Sequence, residues 1–140
     1  MINPLDTVPG CKNFIWKEGF SAGYRSGKLV YRIDPIPYEY RNNAIQVFTN
    51  LQIIRDYFKK KLFITNVGCL YRTYTYNLIC GGARFSKHKK ALAADISVEG
   101  IPSIKVYKFA KDNTEFKGFG IISSKSIHLD IRLKYWFKVY

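Results

Sequence analysis

Between residues 42 and 58 apolar side chains recur at Val47, Leu51, Ile54 and Phe58, with Ala44 and Phe48 beside them. Steps of four, three and four residues lay one stripe along an α-helix. The spacing therefore predicts a core-facing amphipathic helix, with Asn42 or Asn43 as its N-cap. Residues 62–65 predict a short strand, and residues 66–85 a loop that turns at Gly81 and Gly82. From 93 to 98 the period falls to two, so Ile96 and Val98 take one face while Asp95, Ser97 and Glu99 take the other. Pro102 and Ser103 open a short helix from Ile104 to about Lys111, with Ile104, Tyr107, Phe109 and Ala110 available to pack. Residues 119–123, 127–132 and 135–139 predict a closing antiparallel meander. Upstream, residues 10–40 are rich in Gly, Pro, Tyr and Arg, with an extended piece at 28–33 that Pro35 and Pro37 break. Helices before and between strands, with hairpins at the end, predict an α+β class. No repeat or linker divides the chain, so one domain over 1–140 is expected.

Composition narrows this further. A chain of 140 residues buries roughly two-thirds of its unfolded surface without staples. Hydrophobic residues make up 47% and aromatics 16%, which excludes a disordered chain. No apolar run approaches the ~18 residues of a membrane span, so no transmembrane segment is expected. The stretch Met1 to Asp6 has neither a basic nor an apolar signal region, which predicts synthesis in the cytoplasm without a secretory leader. Cys11, Cys69 and Cys80 form no CxxC pair. They read as free, partly buried thiols rather than as zinc ligands or a disulfide framework.

Charge adds a second signal. The chain carries 23 Lys and Arg against 10 Asp and Glu, a net charge of +13. Such an excess favours polyanionic partners, either nucleic acid or an anionic cell envelope. The basic residues form only short runs, such as Lys59 to Lys61 and Lys87 to Lys90.

His88 and His128 are the only histidines. In the strand at 127–132, Ile127, Leu129 and Ile131 share one face while His128, Asp130 and Arg132 share the other. The apolar face buries against helices, leaving the polar face to line a groove. Asp95 lies on the non-core face of its own strand, and His88 precedes it by a short turn. Two histidines and one aspartate suit a catalytic zinc that keeps its fourth position open.

These residues fall in an ordered set: Tyr71-Arg72-Thr73, Asn77, Gly81-Gly82-Ala83, Ser86-x-His88, Ala93-x-Asp95-Ile96 and His128-x-Asp130-x-Arg132. The set resembles the zinc D-alanyl-D-alanine carboxypeptidase and phage endolysin family (peptidase family M15), particularly its small single-domain branch. Weaker similarity extends upstream to Asn13–Glu18 and to Leu51–Arg55. The resemblance implies a small antiparallel sheet of the DD-peptidase/hedgehog type, with helices on one face and a metal groove on the other. It implies that His88, Asp95 and His128 bind Zn²⁺, and that Arg72 engages a substrate carboxylate or the carbonyl oxyanion. It gives Ser86 a place in holding the loop or the substrate. The implied reaction is hydrolysis of peptidoglycan stem peptides, by carboxypeptidase or endopeptidase action. The absent leader suits a phage-type lysis enzyme, released to the wall or carried in a virion, with an anionic envelope as its partner and no dedicated nucleic-acid site.

Two positions depart from the family pattern. Ala91 stands where the pattern has glycine, at a cost of about 1–2 kcal/mol if the backbone there is left-handed. Lys125 stands where several members carry the acid that serves as general base. Asp130 is the best remaining acid, either as base or as the partner that holds a ligand histidine, with Glu115 and Asp112 as further candidates. These departures motivate an alternative, a catalytically inactive binding module of a virion. Net charge and aromatic content motivate another, a basic nucleic-acid-binding protein that uses Tyr71 to Tyr74 or Tyr135 to Tyr140 as stacking surfaces.

Overall fold

The computed structural model describes residues 2–25, 28–65 and 69–140. Met1 and the first part of the 66–85 loop, residues 66–68, lie outside the described residues.

The chain opens with two hairpins, β1 (Thr7–Val8) with β2 (Cys11–Ile15) and β3 (Ser21–Arg25) with β4 (Lys28–Asp34). The amphipathic stripe forms α1 (Arg41–Phe58), which buries Ala44, Val47, Phe48, Leu51 and Ile54. Its start lies a little earlier than its spacing predicts. Asn42 and Asn43 fall inside the first turn, and neither caps it; Asn43 Nδ2 donates instead to the Lys90 carbonyl at 3.0 Å.

After β5 (Leu62–Ile64), residues 66–85 contain more than a loop. Thr73 Oγ1 accepts from the Tyr76 amide at 3.1 Å and caps a short helix, α2 (Tyr74–Ile79). Too short to show an apolar stripe, α2 was signalled only by its cap. Next come β6 (Ala93–Val98), α3 (Ser103–Asn113), β7 (Gly118–Ile121), β8 (Ser126–Asp130) and β9 (Trp136–Val139). In α3 the core residues are Val106 and Ala110, while Ile104 is exposed.

The main sheet runs β5-β6-β8-β7-β9. Three of its pairs are antiparallel, whereas β9 pairs parallel with β7. This departs from the closing meander because β8 is already bonded on both edges, by β6 and β7. β9 takes the outer side of β7 instead. There it runs in the same direction as β7, and Trp136 N reaches the Lys117 carbonyl at 2.8 Å. The α+β class stands. Ile96, Ile127, Leu129 and Phe119 face the helices and are fully buried. Their neighbours at alternate positions form the opposite face, where Asp95 pairs directly with His128 across β6 and β8.

Candidate metal centre

Cross-strand register places Asp95 and His128 side by side, and a 3-10 turn, Lys87–Lys90, brings in His88. The segment 69–72 holds these elements together. Cys69 O accepts from the Asp95 amide at 2.8 Å, Leu70 O lies 3.0 Å from His88 Nδ1, and Arg72 N donates to His88 O at 3.0 Å. The turn ends at Ala91 in the left-handed region, with φ 54° and ψ 38°. A glycine would adopt this conformation freely; here alanine adopts it with its methyl group buried in the core.

His88, Asp95 and His128 each offer one ligand atom, all within 4.8 Å of one another. Asp95 Oδ1 lies 2.8 Å from His128 Nδ1 and 3.4 Å from His88 Nε2. The second polar atom of each residue is held by a separate neighbour. His88 Nδ1 donates to Leu70 O, Asp95 Oδ2 accepts from Arg72 at 3.3 Å, and His128 Nε2 donates to Asp130 Oδ2 at 2.7 Å. Asp130 is fully buried and also accepts from Arg132 Nε at 2.6 Å and from the Arg132 terminal nitrogen at 2.5 Å.

These contacts set the protonation states. Burial pushes the His88 imidazole down against the pull of Asp95, so it is neutral at pH 7. Burial also disfavours charge at His128, but hydrogen bonds to Asp130 and Asp95 outweigh it and push the imidazole up to about 9. Desolvation likewise raises Asp130, yet His128 and Arg132 bring it down to about 2. Asp95 moves below the usual carboxylate range, its burial being overcome by His128 and His88. Without metal, His128 is thus an imidazolium between two carboxylates.

The donors face a groove of about 820 Å³, lined on one side by residues 81–88 and on another by Arg132, Trp136, Lys138 and Tyr140. Two glycines of β7 make room for its lining side chains. A Cβ at Gly118 would lie 2.0 Å from Asp130 Oδ1, and one at Gly120 would lie 2.7 Å from the Tyr140 ring.

A family model described as peptidase M15 matches residues 17–130, well over half of the chain. The chain belongs to the peptidase M15 family. A search among curated proteins found no match. Membership makes the chain a peptidase of a metallopeptidase family. The three residues that the motifs single out are those that converge in the M15 groove.

Of the other anticipated site residues, Arg72 and Ser86 line the groove, and Asp130 sits directly behind His128. Glu115 does not reach it; its carboxylate accepts from Gln46 and Asn50 of α1, on the helix side of the sheet. Asp112 lies exposed on α3, and Lys125 borders a separate depression near the tip of β8. Tyr71 is buried, so it offers no stacking surface. Sequence reasoning missed the part of the groove wall that Trp136, Lys138 and Tyr140 supply, beyond the matched span. Their alternate spacing was visible, but which face of that strand met the groove depended on its parallel pairing. Asn77 also emerges as a support. Its Nδ2 donates to the Ala83 carbonyl at 3.1 Å, and a Cβ at Gly82 would lie 2.2 Å from its Oδ1. That contact shapes the loop leading to Ser86 and His88.

Proposed function

We propose that this M15 peptidase is a zinc enzyme that hydrolyses stem peptides of bacterial peptidoglycan. The observation that carries the proposal is the convergence of His88 Nε2, Asp95 Oδ1 and His128 Nδ1, each on a side chain whose other polar atom is already engaged. Two imidazole nitrogens and one carboxylate oxygen suit zinc, and backing hydrogen bonds of this kind fix the tautomer and ring orientation that ligation needs. When bound there, zinc supplies an acidified water and a polarised carbonyl.

The remaining roles belong to the chain's own residues. Arg72 enters the groove beside Asp95, where its planar fork of donors can meet a substrate carboxylate or the carbonyl oxygen as negative charge develops. Ser86 stands at the start of the His88 turn, placed to orient the loop and the bound peptide. Asp130 holds His128. Its full burial and its three bonds to His128 and Arg132 support this role over the proton-accepting one, because neither oxygen faces the groove free of a partner. The net charge of +13 supports action at an anionic cell envelope. Release or delivery to the wall by a phage completes the proposal. Digestion of purified peptidoglycan followed by mass spectrometry tests it. New peptide termini within the stem are expected, and sugar-chain cleavage or intact peptide would refute it.

One observation favours a second reading, a metal-binding module without activity. Among the described residues lining the groove, Asp95 and Asp130 are the only carboxylates, and both are engaged. Full zinc occupancy without hydrolysis of any wall peptide would select that reading.

A further inference from the structure

The sheet face that carries the metal ligands continues past them. Cross-strand register sets Phe63 opposite Ser97 and Ser97 opposite Ser126, a row across β5, β6 and β8. The row stands two residues along the strands from the Asp95–His128 pair, about 7 Å at ~3.3 Å per residue. Alternation puts it on the same face. It floors a second depression, of about 840 Å³. Glu99 borders this depression from the turn after β6, and Ser124 and Lys125 from the turn before β8. The second turn is a braced wall. Ser123 Oγ accepts from the Lys125 and Ser126 amides at 3.2 and 3.0 Å, and Ser103 Oγ, at the start of α3, donates to Ser123 O at 2.6 Å.

The Phe63 ring is 50% exposed and stacks on no other ring among the described residues. Ser97, Ser124 and Ser126 leave their hydroxyls, and Glu99 and Lys125 their charged ends, without a hydrogen-bond or ion-pair partner among the described residues. These groups narrow the occupant. An apolar ligand would bury the hydroxyls unpaired. A polyanion would meet Glu99 as well as Lys125, and the two charges oppose each other. An added strand needs free backbone groups, whereas this floor is made of side chains on three paired strands. A neutral ligand with one apolar face and a polar rim fits, and a pyranose bearing an acetamido group has that form. Its C–H face covers an aromatic ring. Its rim meets serine hydroxyls that donate or accept, a carboxylate that accepts and an ammonium that donates.

Resting on the peptidoglycan reading above, we infer that this depression is a sugar subsite. It holds an N-acetylhexosamine of the glycan that carries the stem peptide, while the metal groove holds the peptide. Phe63 is the platform under the ring. Ser97, Ser126 and Glu99 bond its rim from one side, and Ser124 and Lys125 from the other.

The test compares one stem peptide linked to its N-acetylglucosaminyl-N-acetylmuramyl disaccharide with the same peptide freed of sugar. Calorimetric titration into zinc-loaded protein measures binding, and mass spectrometry follows hydrolysis in parallel. The linked form should bind more tightly on the order of tenfold, as a stacked ring and a few net hydrogen bonds supply. Phe63→Ala should erase most of that preference while leaving zinc content unchanged. Glu99→Ala, on an exposed turn, should reduce it, and reads the subsite even if Phe63→Ala disturbs β5. Tyr57→Ala removes another exposed ring, on α1, and should preserve the preference. Equal affinities of the wild-type protein for the two forms, or measurable binding of neither, would overturn the inference. So would a preference that survives both Phe63→Ala and Glu99→Ala, or one that Tyr57→Ala abolishes. Preference for the linked form without hydrolysis would uphold the subsite and remove the peptidase proposal; hydrolysis of both forms at equal affinity would do the reverse.

Discussion

Gly118 and Asp130 face each other across the β7–β8 ladder, and a Cβ on Gly118 would lie 2.0 Å from Asp130 Oδ1 and 2.5 Å from Arg132 Nε. Glycine at 118 is therefore the space in which the Asp130–Arg132 pair lies flat against the sheet behind His128. Gly118→Ala should cost about 1–3 kcal/mol of stability through overpacking and weaken zinc binding as well. Gly120→Ala should be milder, because its nearest neighbour is the movable Tyr140 ring. Thermal unfolding and zinc titration of both variants check this, and equal effects would deny the pair its role.

Asp130→Asn separates the two roles open to that residue. If Asp130 holds His128, the variant should bind zinc ~10–100-fold more weakly, with activity falling in proportion. If it accepts the proton, zinc should stay bound while turnover falls by roughly 10²–10⁴-fold. A competitive zinc titration beside a kcat measurement decides; the contacts of Asp130 predict the first outcome.

Much of this site was legible because a strand's period is unambiguous. His128 and Asp130 had to share a face opposite Ile127 and Leu129, and Asp95 had to oppose Ile96, whatever the sheet order. The α1 stripe was legible for the same reason, its apolar residues recurring over several turns. What stayed hidden depends on the third dimension. No local pattern shows that β9 skips β8 and joins β7 in parallel, which is what turns Trp136 and Lys138 toward the groove. Nor does any pattern reveal that the Leu70 carbonyl fixes His88, because a backbone acceptor leaves no trace in residue type.

Zinc binding should release a proton. In the metal-free protein His128 is pushed up to about 9 by Asp130 and Asp95 against its burial, and ligation requires the neutral ring. Apparent zinc affinity should therefore rise by about tenfold per pH unit from neutral pH towards 9 and then level off. Calorimetry at pH 7 in buffers of different ionisation enthalpy should count close to one proton released; a count of zero would contradict the network.

The same shifts set the acid and base limits of the metal-free fold. His128 is raised, so its contribution is complete below its unfolded pKa of about 6.5 and is lost as pH rises through about 9. Asp130 is lowered, so its contribution is complete above about 4 and is lost as pH falls through about 2. His88 is lowered by its burial, so its contribution is complete only above about 6.5, and the melting temperature of the zinc-free protein should therefore peak at about pH 6.5 and fall on either side. A maximum above pH 8 would refute the assignment.

Ala91 supplies a test of backbone strain. Its left-handed φ of 54° costs about 1–2 kcal/mol, while its buried methyl contributes roughly 0.8 kcal/mol. Ala91→Gly should thus stabilise the protein by about 1 kcal/mol or less, and Ala91→Val, with a branched Cβ in the same conformation, should destabilise it. Chemical denaturation measures both.

The proposed cleavage of wall peptides requires a zinc ion held by His88, Asp95 and His128. Purified protein should be stripped with a chelator, assayed for release of peptide termini from isolated peptidoglycan, and assayed again after zinc is restored. Cleavage should disappear on stripping, return with about one zinc per chain by the three-ligand geometry, and fail to return in His88→Ala. Cleavage that persists in the stripped protein, or in His88→Ala, would refute zinc-dependent hydrolysis at these three residues.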